Sequence, residues 1–213
     1  AILSVSSVVV TEPGPQQERT GAKQQFDPRD FSGIYIRRGG NRGFSAPADI
    51  PSLTPAGEAV IKDRIPTASF NRHPLTKQID DDKDSNDPAF ECNPKGFPRL
   101  LLDVANDFHE VIMLPDRILQ LWQEARVPRE IWLDGRTLPS GDNLENIGPA
   151  WYGHSVGEWQ GDELVVNTVG LDDRAWVDQY GFPMSFEALI EERYRRTDAN
   201  TIELRLTLYD PKY

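Results

Sequence analysis

The sequence predicts an all-β domain with one or two short helices, built as an antiparallel up-and-down barrel. A β-sandwich is the alternative arrangement of the same strands. Three observations predict it. At least seven short apolar runs, each bounded by turn residues, fall between residue 31 and residue 213. Two pairs of these runs are joined by hairpin-length turns, at Gly161-Asp162 and at Asp198-Ala199-Asn200. The 17 prolines and 16 glycines among 213 residues favour short strands and wide loops over a helical bundle.

Taken in order, residues 1–10 are small and apolar, which matches the core of a signal peptide and predicts a remnant of one. A tail or an added β-strand is the alternative. Residues 11–29, rich in Gln, Glu, Pro and Gly, predict a disordered leader, so the folded domain is expected over 30–213. Residues 31–36 read as the first strand and 39–43 as a flexible glycine loop. Thr54 and Pro55 open a helix as cap and first-turn residue, and Pro66 stops it after about Ile65. Residues 66–99 carry no sustained period and read as a long loop. Residues 108–114, 117–124 and 130–134 form an expected three-stranded meander, with Pro115-Asp116 turning between the first two.

Residues 154–160 and 163–169 flank Gly161-Asp162, where glycine in first place suits a type II′ turn. That register sets Trp159 opposite Leu164 and Gly157 opposite Val166, and keeps His154 from deep burial. In the last hairpin Ile202, Leu204, Leu206 and Leu208 alternate with Glu203, Arg205 and Thr207, the pattern of a half-buried strand. Keeping apolar faces together places Ile190, Glu192 and Tyr194 with the leucines, so Glu192 is expected inside.

Composition excludes some functions. A net charge of −11 repels a phosphate backbone or an anionic membrane, so no nucleic-acid partner is expected. No segment after the first ten residues is apolar enough to cross a membrane as a helix. The single cysteine, Cys92, allows no disulfide within the chain. With no activating neighbour in Glu91-Cys92-Asn93-Pro94, it is expected to be buried. Phosphate-cradling, dinucleotide, zinc-protease and nucleophile-elbow motifs are missing, so no cofactor is expected.

Four constellations could carry function. Asp80, Asp82, Asp84, Asn86 and Glu91 match calcium-loop spacing, but Ser85 stands where glycine is needed and Pro88 interrupts, which favours a solvated acidic loop. Trp151, Tyr152 and His154 could line a ligand mouth together with Trp159, and His154 has the chemistry for proton transfer. The plain alternative is a strand start packed by aromatics. Three histidines (His73, His109, His154) offer no evident metal site. Asp172, Asp173, Arg174 and Trp176 could position a polar ligand, or the charges could satisfy one another in a tight loop. Glu192 with Tyr194, on an apolar face, requires a partner. Arg136, Arg174 and Arg196 are the candidates, and the group is either a ligand anchor or base or a salt bridge closing the barrel.

Several segments together resemble a large family of secreted bacterial proteins of no established activity: Cys92-Asn93-Pro94-Lys95-Gly96-Phe97-Pro98-Arg99, Ile131-Trp132-Leu133-Asp134-Gly135-Arg136, Gly153-His154-Ser155-Val156-Gly157-Glu158-Trp159-Gln160-Gly161-Asp162 and Glu192-Arg193-Tyr194-Arg195-Arg196. Gly33-Ile34-Tyr35 also resembles the Gly-x-aromatic start of lipocalin or calycin barrels. The resemblance implies a secreted or periplasmic location, a signal peptide and a chain continuing past Tyr213. Met184 and Leu189 stand where it implies histidines, so no metal site built on His154 is expected. The leading expectation is a small-molecule binder for an apolar or carbohydrate-like ligand, its pocket lined by Trp151, Tyr152, Trp159 and Tyr194. The alternatives are a lyase, isomerase or hydrolase using His154 or Glu192, with Arg136 or Arg174 stabilising negative charge, and an envelope interaction module without a cavity.

Overall fold

The computed structural model describes residues 2–11, 25–38, 51–67, 74–102, 108–125 and 127–213. Most of residues 11–29, expected as a leader, and the 39–43 loop lie outside the described residues. Among the described residues nine strands form one sheet: β1 (Ile2–Thr11), β2 (Gly33–Arg38), β3 (Phe108–Met113), β4 (Arg117–Trp122), β5 (Arg129–Trp132), β6 (His154–Gln160), β7 (Glu163–Val169), β8 (Leu189–Asp198) and β9 (Thr201–Tyr209). Each strand pairs with the next, and β9 returns to β1, so the sheet closes into a barrel rather than a sandwich. The apolar opening segment, β1, supplies the closing strand between β9 and β2.

Strand count departs from the up-and-down expectation in one respect. Directions alternate around an antiparallel ring, so an odd number of strands cannot all oppose both neighbours. The unavoidable parallel pair is β5 with β6, where Ile131 faces Ser155 and Trp132 faces Val156. A parallel pair needs a long crossover. Residues 133–153 supply it and carry a helix the sequence did not announce, α3 (Gly141–Ile147). Two helices precede it, α1 (Pro55–Ile61) and α2 (Arg99–Leu102). Thr54 caps α1 by accepting from the Gly57 amide at 3.2 Å, as expected, but α1 stops four residues earlier than Ile65. The Asp63 and Arg64 amides fold back on the Val60 and Ile61 carbonyls in tighter turns.

Both predicted hairpins hold. Trp159 pairs with Leu164 and Gly157 with Val166. Gly161 takes φ +63°. On the other hairpin, Glu192 pairs with Leu206, Tyr194 with Leu204 and Ile190 with Leu208. Ile202, Leu204, Leu206 and Leu208 are buried, while Glu203 and Arg205 face water. The core they join includes Tyr35, Phe97, Ile118, Trp122, Ile131 and Leu164.

Residues 74–99 pack against the barrel as a loop with two 3₁₀ turns, Asp82–Asp84 and Pro88–Glu91. Its calcium-like spacing makes no ligand cluster. Asn86 instead bonds the Ile65 amide and the Asp63 carbonyl. Among the described residues, no three His, Cys, Asp or Glu side chains are placed to hold a metal ion. Arg99 clamps this loop through a buried bidentate pair with Asp87, at 2.7 and 2.6 Å. Cys92 is exposed, contrary to expectation. It ends the second turn at φ +63°, so the backbone of a loop corner decides its environment. Among the described residues no helix is long and apolar enough to cross a membrane.

Candidate ligand cleft

Residues of β5, of β6 and of the crossover between them line an open cleft of about 430 Å³. Val127, Pro128, Pro139 and Ile147 line it together with Trp132, Arg136, Trp151, Tyr152 and His154. Sequence reasoning named four of those residues, Arg136, Trp151, Tyr152 and His154. It missed Trp132, which lies on β5 one residue past the inward-facing Ile131.

Charged partners hold the aromatic walls. The Trp132 ring has the Arg136 guanidinium at 3.6 Å and that of Arg117 at 4.8 Å. Arg136 is itself fixed by Asp134, donating Nε to Oδ1 at 2.8 Å and Nη2 to Oδ2 at 2.6 Å. Trp151 carries Arg174 at 4.7 Å from its ring, and Arg174 donates to both oxygens of buried Asp172 at 2.9 and 2.5 Å. These hydrogen bonds hold the Asp172 carboxyl below its ordinary pKa. Asp172 and Arg174 thus satisfy each other and support Trp151 from behind. Asp173 turns away to a separate depression of about 250 Å³ beside Glu145 and Phe186.

His154 sits half-buried at the start of β6. Its Nε2 lies 2.9 Å from the Gly148 carbonyl, which can only accept, so that nitrogen carries the proton. In the neutral ring Nδ1 then remains an acceptor. A Cβ at Gly170 would come within 2.9 Å of His154 Cδ2, so a side chain there would crowd the imidazole. Tyr152 is 5% exposed and packs its ring against Trp122 at 6.1 Å. Its buried hydroxyl has no hydrogen-bond partner among the described residues, and burial raises its pKa.

Gly153 places Tyr152 and His154 on either side of a left-handed turn, at φ +63°. An added Cβ would approach Thr168 Cγ2 to 2.6 Å and the Val169 carbonyl to 2.8 Å. Gly161 has the same φ but open space around it. Chemical denaturation is therefore expected to show a loss of about 1 kcal/mol for Gly161→Ala and about 2 kcal/mol for Gly153→Ala. Equal losses would mean that crowding at Gly153 relaxes freely.

Behind the cleft a polar network crosses the barrel. Arg129 and Glu192 are both wholly buried and form a bidentate ion pair. Arg129 Nη1 also donates to Gln120 Oε1 at 3.0 Å, and Nη2 to Thr168 Oγ1 at 2.9 Å and Ser155 Oγ at 3.1 Å. The Tyr194 hydroxyl donates to Glu192. Register assembles the group: Gln120 faces Arg129 across β4 and β5, and Ser155 faces Thr168 across β6 and β7. Burial opposes the charge on Arg129, but the Glu192 carboxylate outweighs it and the guanidinium pKa is raised. Burial, reinforced by that carboxylate, pushes the Tyr194 phenol well above its ordinary value.

Several expected site residues stand elsewhere. Glu192 is inside as predicted, but its partner is Arg129. Arg136 and Arg174 are held on the surface, and Arg196 bonds the carbonyls of Asp30, Asp198 and Ala199. Tyr194 and Trp159 are apart from the cleft. Trp159 meets Phe31 at 5.2 Å, and Phe31 meets Tyr194 at 6.2 Å. Side chains fill the barrel interior there, leaving a cavity of about 20 Å³, room for about one water. Trp176 is fully buried with Arg64 at 5.3 Å and Arg99 at 5.7 Å from its ring, so it is core and not ligand surface. Comparison of the chain with protein-family models, with curated proteins and with solved structures finds no match.

Proposed function

We propose that the protein binds a small molecule, apolar or carbohydrate-like, in the cleft over β5 and β6. The observation that carries this reading is a volume of about 430 Å³ lined by Trp132, Trp151 and Tyr152. That volume falls within the roughly 300–1,000 Å³ common for ligand pockets. Val127 and Ile147, about half exposed, are among its lining residues, which gives an apolar ligand further surface to cover. The cleft also favours binding over an interaction module that lacks a pocket. The catalytic alternative keeps only His154 within the cleft, because Glu192 is sealed behind Arg129.

Indole N–H resonances test the site. A screen of aromatic and sugar fragments is expected to shift the signals of Trp132 and Trp151 and leave those of Trp159 and Trp176 in place. Shifts confined to Trp159, or none across the screen, reject the cleft as the binding site. Mass spectrometry of compounds co-purified from the natural host then identifies the ligand.

A lipocalin-like relationship is part of the same proposal. It is supported by the Gly33-Ile34-Tyr35 start and the ring of sequential neighbours. The parallel β5–β6 pair and the filled interior mark this chain as a departure from barrels that hold ligands inside. Placement in the periplasm or the medium rests on the resemblance of the four motifs. Fractionation of host cells tests it, and recovery with the cytoplasmic fraction would reject it.

A further inference from the structure

The His154 ring has two unlike edges. On one, Nε2 donates to the Gly148 carbonyl at 2.9 Å, and Cδ2 lies where a Cβ at Gly170 would come within 2.9 Å of it. Neither Gly148 nor Gly170 lines the cleft, whereas His154 does. The edge left for the cleft is therefore the one that carries Nδ1. That nitrogen has no hydrogen-bond partner among the described residues, and it is not one of their buried unpaired atoms, so solvent reaches it. With the ring proton held on Nε2, Nδ1 of the neutral imidazole only accepts. The bond to Gly148 also fixes the ring, so the acceptor is in place before a ligand arrives.

We infer that the cleft recognises a hydroxyl group on an uncharged ligand, with His154 as the specificity-determining residue that accepts from it through Nδ1. The inference rests on the small-molecule reading above and adds the ligand's chemistry. The rings of Trp132 and Trp151 offer flat apolar surface for the rest of the ligand. A neutral donor is favoured because the charges around the cleft already have partners. Glu130 has Arg117 at 3.5 Å, Asp134 has Arg136 and Asp172 has Arg174, so none of these carboxylates is left over for a cationic ligand. Arg129 is matched by Glu192, and the net charge of −11 disfavours the approach of an anion. A ligand that covers Nδ1 takes it from water. One that brings a hydroxyl replaces that bond, and one that does not leaves the nitrogen unpaired and loses affinity.

The test titrates 2-naphthol and 2-fluoronaphthalene into the whole chain. The two probes share a ring system and differ in the one group that can donate. Affinity is read from the Trp132 and Trp151 indole signals, and the hydrogen bond from the nitrogen NMR signal of His154 Nδ1. The naphthol is expected to bind about tenfold more tightly, although burial of apolar surface alone would favour the fluoro compound. It is also expected to move the Nδ1 signal, which the bound fluoro compound leaves in place. His154→Phe, which keeps a ring and removes the acceptor, is expected to reduce the preference to about twofold or less. Where that variant does not fold, the Nδ1 signal of the wild type decides. Equal affinity for the two probes, tighter binding of the fluoro compound or an Nδ1 signal unmoved by bound naphthol each overturns the inference while leaving the pocket in place. A full preference that survives in folded His154→Phe does the same. Binding of neither probe overturns the pocket and the inference together.

Discussion

Arg129→Met is expected to destabilise the protein by about 3–5 kcal/mol, measured as the unfolding free energy in urea. For a domain whose total stability is typically 5–15 kcal/mol, that approaches unfolding. The reason is the location of the charge left behind. Arg129 and Glu192 are both inaccessible to solvent, so removing the guanidinium strands a carboxylate in the barrel. Gln120, Ser155 and Thr168 also lose the donor around which they are arranged. Glu192→Leu is expected to cost a similar amount by stranding the cation. The double variant Arg129→Met/Glu192→Leu removes both charges and is expected to be more stable than either single variant. A double variant that loses the sum of the two single losses would show that the pair is not coupled.

This pair also shows how far the sequence could be read. Glu192 was legible as an inner-face carboxylate because Ile190 and Tyr194 share its parity and the facing leucines fix the register. Arg129 carries the same kind of signal, two residues before Ile131. It is missed when β5 is started at Glu130, since a one-residue error at a strand end hides an inward side chain. The cleft was legible only through its residue types. Its shape depends on the crossover, and α3 buries no residue and has no side-chain cap bond from Ser140, so neither apolar period nor cap marks it.

The burial of Trp176 was not legible either. Trp176 is buried and Trp151 only partly so, although both stand in loops and both carry arginines over their rings. The opening run of small and β-branched residues suits both a signal core and a strand. In the structure it pairs with β9 across nearly the whole length of the chain, as the strand alternative expects. That ninth strand in turn makes a parallel pair unavoidable, and the parallel pair requires the crossover that builds the cleft.

His109 is expected to make stability fall as the solution is acidified from pH 7 to pH 4. It lies in a ladder across three strands, between Tyr35 at 5.9 Å and Trp122 at 5.7 Å between ring centroids. It also lines the small interior cavity with Gln120 and Tyr194, and burial lowers its pKa to about 4. In the unfolded chain the same group titrates near 6.5. Between those two values the unfolded state binds more protons than the folded state, so each step down in pH favours unfolding. The contribution is complete above pH 6.5, declines through the window, and is gone below about pH 4. Its full size is about 3 kcal/mol. Carboxylates titrate in the lower part of this range as well, so the comparison is with His109→Gln, which keeps a polar group of similar length but takes up no proton. Urea unfolding at pH 7, 5.5 and 4 is expected to show the wild type losing about 3 kcal/mol more than the variant over the range. Parallel profiles would mean that His109 is hydrated in the folded protein and that the cavity beside it admits enough water to hold an imidazolium. An imidazole titration followed by NMR gives the same answer directly, with a folded-state midpoint near 4 supporting the dry interior and one near 6.5 contradicting it.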